Sequence, residues 1–133
     1  GTGLRAWQRA GGTVAIITGR SGEAVRRRAA ELGIDLVLSG VERKGVAFEN
    51  LLAELGVSAD EAAMVGDDLP DLPVLVRCGY PVAVRDAAPE VLAVAAWITS
   101  HPGGRGAVRE VVEHLLRARG AWEAAVAHFE DRD

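Results

Sequence analysis

Thr18, Lys44 and Asp67 each follow a short apolar run. Val14-Ala15-Ile16-Ile17 runs into Thr18-Gly19-Arg20, and Leu36-Val37-Leu38 leads through Ser39-Gly40 to Lys44. Ala63-Met64-Val65 opens into Gly66-Asp67-Asp68-Leu69-Pro70-Asp71. Apolar runs of this length bounded by polar residues read as β-strands, and open α/β sheets bind ligands beyond the carboxyl ends of their strands. A hydroxyl, an ammonium and three carboxylates delivered to that rim suit a phosphoryl group held against a divalent metal ion.

The acidic run carries the strongest signal. Carboxylates crowded at a strand end repel one another, and a cation relieves that cost; ligands that are all oxygen favour Mg²⁺. Capping of the next helix by Asp68 or Asp71 fits the same spacing. Thr18-Gly19-Arg20-Ser21 joins a strand to the amino end of a helix, where backbone N–H groups accept an anion, Gly permits close approach and Thr adds a donor. A plain cap at Ser21 with a surface Arg20 is the alternative. Lys44 opens a helix, where the macrodipole disfavours a cation; neutralising a phosphoryl group would explain the placement, and an ordinary exposed lysine is the alternative. His101-Pro102-Gly103-Gly104-Arg105-Gly106 matches no phosphate-loop fingerprint and reads as a connector. His101, His114 and His128 show no metal-ligand spacing, and Asp131-Arg132-Asp133 reads as a frayed end.

The elements that must position these residues follow from pattern and punctuation. A helix is expected over Leu4–Ala10, stopped by Gly11-Gly12 after a possible trimmed end at Gly1-Thr2-Gly3, then a strand over Thr13–Ile17. The next helix carries Ala24, Val25, Ala29 and Leu32 inward and stops at Gly33. A strand over Ile34–Leu38 precedes a helix from Lys44 to Leu55, with Val46, Leu51, Leu52 and Leu55 inward and Gly56 at its end. Further strands are expected at Ala62–Val65, Tyr80–Val84 and, as an edge, Trp97–Thr99. Short helices lie around Leu72–Cys78 and Ala87–Ala93. A long helix carries Val108, Val111, Val112, Leu115 and Leu116, and a last segment carries Trp122, Ala125, Val126 and Phe129. Strands separated by single helices demand a parallel sheet with right-handed crossovers, hence a Rossmann-like α/β fold.

The 133 residues read as one domain, 1–133, without repeat or linker. Aromatics are only 5% of the chain, so Ala, Val and Leu must fill the core, as in helices laid on a parallel sheet. A net charge of −4 argues against a nucleic-acid surface, and Arg26-Arg27-Arg28 reads as a solvated helical face. No run of residues is long and apolar enough for a membrane span, and no signal peptide is visible. The lone Cys78 cannot form an internal disulfide and reads as a small buried residue, which makes the cytoplasm the expected compartment.

In order, these pieces resemble the haloacid dehalogenase superfamily of phosphohydrolases. They are most similar to its capless branch, the 3-deoxy-D-manno-octulosonate 8-phosphate phosphatases. The resemblance rests on Ala15-Ile16-Ile17-Thr18-Gly19-Arg20, on Lys44, on Val65 through Pro73 and on Gly103-Gly104-Arg105-Gly106-Ala107-Val108-Arg109-Glu110. It implies a three-layer α/β/α domain without a cap. The Thr18 hydroxyl would bond the transferring phosphoryl group and Lys44 would balance its charge. Asp67 would bind Mg²⁺ directly, with Asp68 and Asp71 supporting the metal or its waters, and Gly19, Arg20 and Arg105 would meet the substrate. The resemblance also implies a homotetramer in which the Arg105 loop reaches a neighbour's site, a sugar-acid phosphate substrate and a place in lipopolysaccharide biosynthesis.

One family feature is missing. The Asp-x-Asp-Gly-x-Thr motif on the first central strand, whose first Asp is the nucleophile and second the general acid/base, does not occur. The chain begins after the place where that strand belongs, so an incomplete sequence, little or no hydrolysis by the 133 residues and uncovered strand edges are expected. The alternative is a non-catalytic assembly or regulatory module, for instance beside an acylneuraminate cytidylyltransferase. A phospho-receiver domain is disfavoured, because its acid pair follows an early strand and its Lys a late one, whereas here Lys44 precedes Asp67.

Overall fold

The computed structural model describes residues 2–130, apart from the side chains of Arg105 and Glu130. The terminal Asp131-Arg132-Asp133 lies outside the described residues. Helices and strands alternate: α1 (Thr2–Arg9), β1 (Ala15–Ile17), α2 (Glu23–Leu32), β2 (Leu36–Leu38), α3 (Lys44–Leu55), β3 (Ala63–Gly66) and α4 (Leu72–Leu75). They continue with β4 (Tyr80–Ala83), α5 (Pro89–Val94), β5 (Trp97–Ile98), α6 (Arg105–Ala118) and α7 (Trp122–Glu130). Gly33 and Gly56 end α2 and α3 in the left-handed region, at φ 72° and 66°, the conformation glycine adopts without steric cost.

All strand pairs are parallel. Ala15 pairs with Leu36, Ala63 with Tyr80 and Val82 with Trp97. The sheet is in two hydrogen-bonded parts, β1-β2 and β3-β4-β5, with uncovered strand edges of the kind expected where a central strand is missing. The apolar edges show the break. Ala15 and Ala63 are exposed, and Val65 is 36% exposed, although strands in parallel α/β sheets are ordinarily buried on both faces. Shared helices bridge the two parts: Ile17 of β1 and Met64 of β3 both pack on Phe48, Val74 and Cys78 from α3 and α4 with its following turn.

Successive residues of a strand point to opposite faces. Ile16 joins the cluster of Leu4, Ala6, Ala29, Val112 and Leu116, built by α1, α2 and α6, whereas Ile17 joins the α3 side. Helices therefore cover both faces, which makes three layers. A third cluster, with Leu75, Ala83, Val91 and Ala107, seals α4, α5 and α6 against β4. Cys78 is buried, and the run Arg26–Arg28 is exposed, both as expected.

Five local expectations change, the first being Ala24 of α2, which is exposed while Val25, Ala29 and Leu32 of the same stripe are not. In α3, Val46 and Leu55 are 40% exposed, and Phe48 takes the inward position with Leu51. At 100° per residue, a face centred on Phe48 and Leu51 turns Val46 outward. Ser21 does not cap α2; the N-cap is Gly22, with no side-chain hydrogen bond. β1 and β2 are shorter than the apolar runs that contain them, because only Ala15–Ile17 and Leu36–Leu38 find each other in register. Thr2 and Gly3 belong to the first turn of α1, where Gly3 sits close enough to α6 that a Cβ would lie 3.3 Å from the Arg109 Cα. Leu116 is fully buried between α1 and the sheet. Leu116→Ala is expected to cost about 2–5 kcal/mol in chemical denaturation, because the cavity cannot collapse fully.

Candidate active site

The acidic loop is organised by its last member. Gly66 ends β3 without a side chain, and a Cβ there would stand 2.8 Å from Leu75 Cδ1 and 3.0 Å from Asp71 Cβ. That gap lets Asp71 fold back beneath the strand end, where it is only 6% exposed. Its Oδ2 accepts the N–H groups of Asp67 (3.0 Å) and Asp68 (3.3 Å), and its Oδ1 accepts Lys44 Nζ at 2.9 Å. Burial pushes the Asp71 carboxyl up, but Lys44 and the Asp67 N–H outweigh it and hold the pKa below the ordinary value. Asp68 Oδ1 accepts the Leu69 N–H at 2.8 Å and caps the 3₁₀ turn Leu69–Asp71.

Asp67 is left at the rim. Its carboxylate accepts no hydrogen bond from another residue's N–H or cation among the described residues. Desolvation, then the neighbouring Asp71 and Asp68, raise its pKa. That is a carboxylate whose ionised form lacks a counter-charge, and a cation fits it. No three His, Cys, Asp or Glu side chains converge as metal ligands among the described residues. The three acids are thus unlike one another: Asp71 and Asp68 hold the loop, and Asp67 is the one with oxygen atoms to spare.

Thr18 stands at the end of β1. Its Oγ1 accepts the Arg20 N–H at 3.1 Å, which leaves the single hydroxyl proton free to donate. Main-chain bonds sew this turn to the next crossover: Thr18 N–H to Leu38 O, Val41 N–H to Thr18 O and Gly40 N–H to Arg20 O. Thr18, Gly19, Arg20 and Lys44 line one open cavity of about 710 Å³, with Pro70 from the acidic loop on its wall. The structure therefore brings together Thr18, Gly19, Arg20 and Lys44, and ties Lys44 to Asp71. Arg105 opens α6, and its side chain lies outside the described residues.

Two features went unnoticed in the sequence. Arg43 and Arg77 line the same cavity; a basic residue beside Lys44 was the one available hint. Glu110 is the other. Its Oε2 accepts Ser100 N–H (2.8 Å) and Oγ–H (2.5 Å), and its Oε1 accepts His101 N–H (3.0 Å) and meets His101 Nδ1 (2.8 Å). Asp86 Oδ1 accepts Gly103 N–H at 2.8 Å. The Ser100–Gly104 connector is thereby fastened from two sides. Burial opposes ionisation of Glu110, but the Ser100 and His101 donors hold its pKa at about 2.

The haloacid dehalogenase-like hydrolase family profile matches residues 37–111. The 3-deoxy-D-manno-octulosonate 8-phosphate phosphatase of Escherichia coli K12 is 46% identical over 112 residues, 84% of this chain and 60% of that protein. The Salmonella typhimurium enzyme of the same name is 44% identical over 125 residues, 94% of this chain and 66% of that protein. The chain thus spans about 60–66% of the length of these curated relatives. Among solved structures, that of the Moraxella catarrhalis 3-deoxy-D-manno-octulosonate 8-phosphate phosphatase in complex with magnesium, phosphate and KDO superposes with a TM-score of 0.91. It is 42% identical, covering 96% of this chain and 73% of that one. A Legionella pneumophila subfamily III A hydrolase gives a TM-score of 0.91 at 41% identity, covering 98% and 72%. The chain belongs to the haloacid dehalogenase-like hydrolases.

Two measurements check the electrostatics. Lys44→Met should lower stability by about 3 kcal/mol at pH 7, because it strands a nearly buried carboxylate. The loss should shrink as pH falls below the ordinary Asp value of 3.8 and vanish only below the depressed value of Asp71 in the folded parent, where the carboxyl is protonated in both states. Glu110 is depressed, so its contribution is complete above its ordinary value of 4.5 and fades as pH falls toward about 2. Acid titration of Glu110→Gln should accordingly show a shallower loss of stability between pH 4.5 and 2 than the parent.

Proposed function

We propose that this chain is the phosphate- and metal-binding part of a Mg²⁺-dependent phosphomonoesterase acting on a sugar-acid phosphate of the 3-deoxy-D-manno-octulosonate 8-phosphate type. The observation that carries the reading is the Lys44–Asp71 pair, which joins the wall of the Thr18 cavity to the loop bearing Asp67. In this reading the Thr18 hydroxyl donates to a phosphoryl oxygen, and Lys44, held in place by Asp71, offsets the charge that builds up during transfer. Asp67 holds the metal, with Asp68 and Asp71 keeping its loop in shape; bound Mg²⁺ supplies charge neutralisation beside the phosphoryl oxygens. Gly19 and Arg20 line the approach, and the loop carrying Arg105 stands against the substrate.

The nucleophile is proposed to come from a further strand seated between β1 and β3. The unpaired, exposed edges of those strands over a shared helical floor support this. An Asp carboxylate there attacks phosphorus while the second Asp of the same strand protonates the leaving sugar oxygen; that Asp then takes a proton from water, which cleaves the aspartyl-phosphate to phosphate and free Asp. The 133 residues alone are not expected to turn over substrate. A homotetramer in a reducing cytoplasm, serving lipopolysaccharide biosynthesis, belongs to the same reading. The name of the E. coli relative and the magnesium, phosphate and KDO bound by the Moraxella enzyme support the metal and the substrate class.

The test joins an Asp-x-Asp-Gly-x-Thr strand to the amino end of the chain and compares it with the chain as given. The extended protein should hydrolyse 3-deoxy-D-manno-octulosonate 8-phosphate with Mg²⁺, and the 133-residue chain should not. Asp67→Asn should weaken Mg²⁺ binding by at least ~10-fold in both. Equal turnover by the unextended chain would overturn the proposed source of the nucleophile, and unchanged Mg²⁺ affinity would overturn the role of Asp67.

A further inference from the structure

A chain with net charge −4 gathers, among the described residues, four cations, Arg20, Arg43, Lys44 and Arg77, around one cavity whose single acidic lining residue among them is Glu42. Like charges so grouped repel one another, and the arrangement is favourable only when an anion shares the space. Two of the four are already matched: Lys44 by Asp71 at 2.9 Å and Arg77 by Glu49 at 3.2 Å. Arg20 and Arg43 have no carboxylate within ion-pair distance among the described residues. The phosphoryl role proposed for Thr18 and Lys44 gives no part to Arg43 or Arg77, which line the same cavity.

Arg77 is also held with unusual care for an exposed side chain. Its Nη1 donates to Pro73 O at 2.7 Å, and its Nε faces Glu49. The guanidinium lies across the first turn of α3, where a Cβ on Gly45 would overlap it. A fork pinned by a carbonyl, a carboxylate and a glycine surface has lost much of its rotamer freedom, so a ligand that meets it has less entropy to remove.

We propose that Arg43 and Arg77 form a second anion subsite, which selects phosphomonoesters whose organic part carries a carboxylate. The assignment rests on the phosphoryl role of Thr18 and Lys44 proposed above. Arg43 supplies the unmatched charge, and Arg77 supplies a fixed planar donor set that suits a carboxylate.

A matched pair of probes tests it on the 133-residue chain with Mg²⁺: 6-phosphogluconate, and sorbitol 6-phosphate, in which a hydroxymethyl group replaces the carboxylate. By titration calorimetry the parent should bind the acid about fivefold more tightly than the alditol, the scale of one partly exposed ion pair. Arg43→Ala and Arg77→Met should each erase most of that preference, weakening 6-phosphogluconate binding more than sorbitol 6-phosphate binding. Arg26→Ala removes the same charge from the exposed face of α2 and should leave the preference intact. Equal affinity for the two probes, or equal loss in Arg26→Ala and Arg43→Ala, would overturn the subsite while the phosphoryl reading stands. Failure of both probes to bind would overturn the two together.

Discussion

The ion pair between Lys44 and Asp71 is the constraint on which the site depends. Both side chains are largely withdrawn from water, at 15% and 9% exposure, so each would be costly alone. Asp71 meets that cost by spending both oxygens: one on Lys44, the other on two main-chain N–H groups of its own loop. The amino end of α3 and the carboxyl end of β3 are thereby locked together across the molecule. Lys44 cannot swing into solvent, and the loop carrying Asp67 cannot unfurl, without uncovering a buried charge.

That lock matters because the sheet itself does not join the two halves of the site. Thr18 ends β1 and Asp67 follows β3, and these strands belong to separate hydrogen-bonded parts. Continuity comes instead from side chains beneath them, where Ile17 and Met64 share Phe48, Val74 and Cys78, and from the pair above. Apolar packing carries no directional information comparable to a ladder of hydrogen bonds, so the charged contact sets the relative position of the rim residues. The exposed edges of β1 and β3 are the complement of this arrangement, an apolar seat with unpaired main chain on either side.

Around this centre the charges are sorted by position. Cations dominate the cavity at the amino end of α3, with Glu42 on its wall and Glu49 against Arg77, while Asp71 pairs with Lys44 and Glu110 and Asp86 fasten the Ser100–Gly104 connector. A fastened connector gives the rim a defined wall at the start of α6.

Much of this was legible from local chemistry. Apolar runs marked the strands, Gly33 and Gly56 stopped their helices, and Thr18, Lys44 and the Asp67–Asp71 run announced themselves by ending strands or opening a helix. Those features depend on neighbours in the chain, so the sequence alone determined them. Which of three similar aspartates would be buried, which would cap a turn and which would keep its oxygens free depended on Lys44, 27 residues away, and on the space above Gly66. Phe48 rather than Val46 on the inner face of α3 and Arg77 laid over Gly45 were settled in the same way. Each is a choice among locally equivalent options, and only the packing of distant segments gives one option lower free energy than the others.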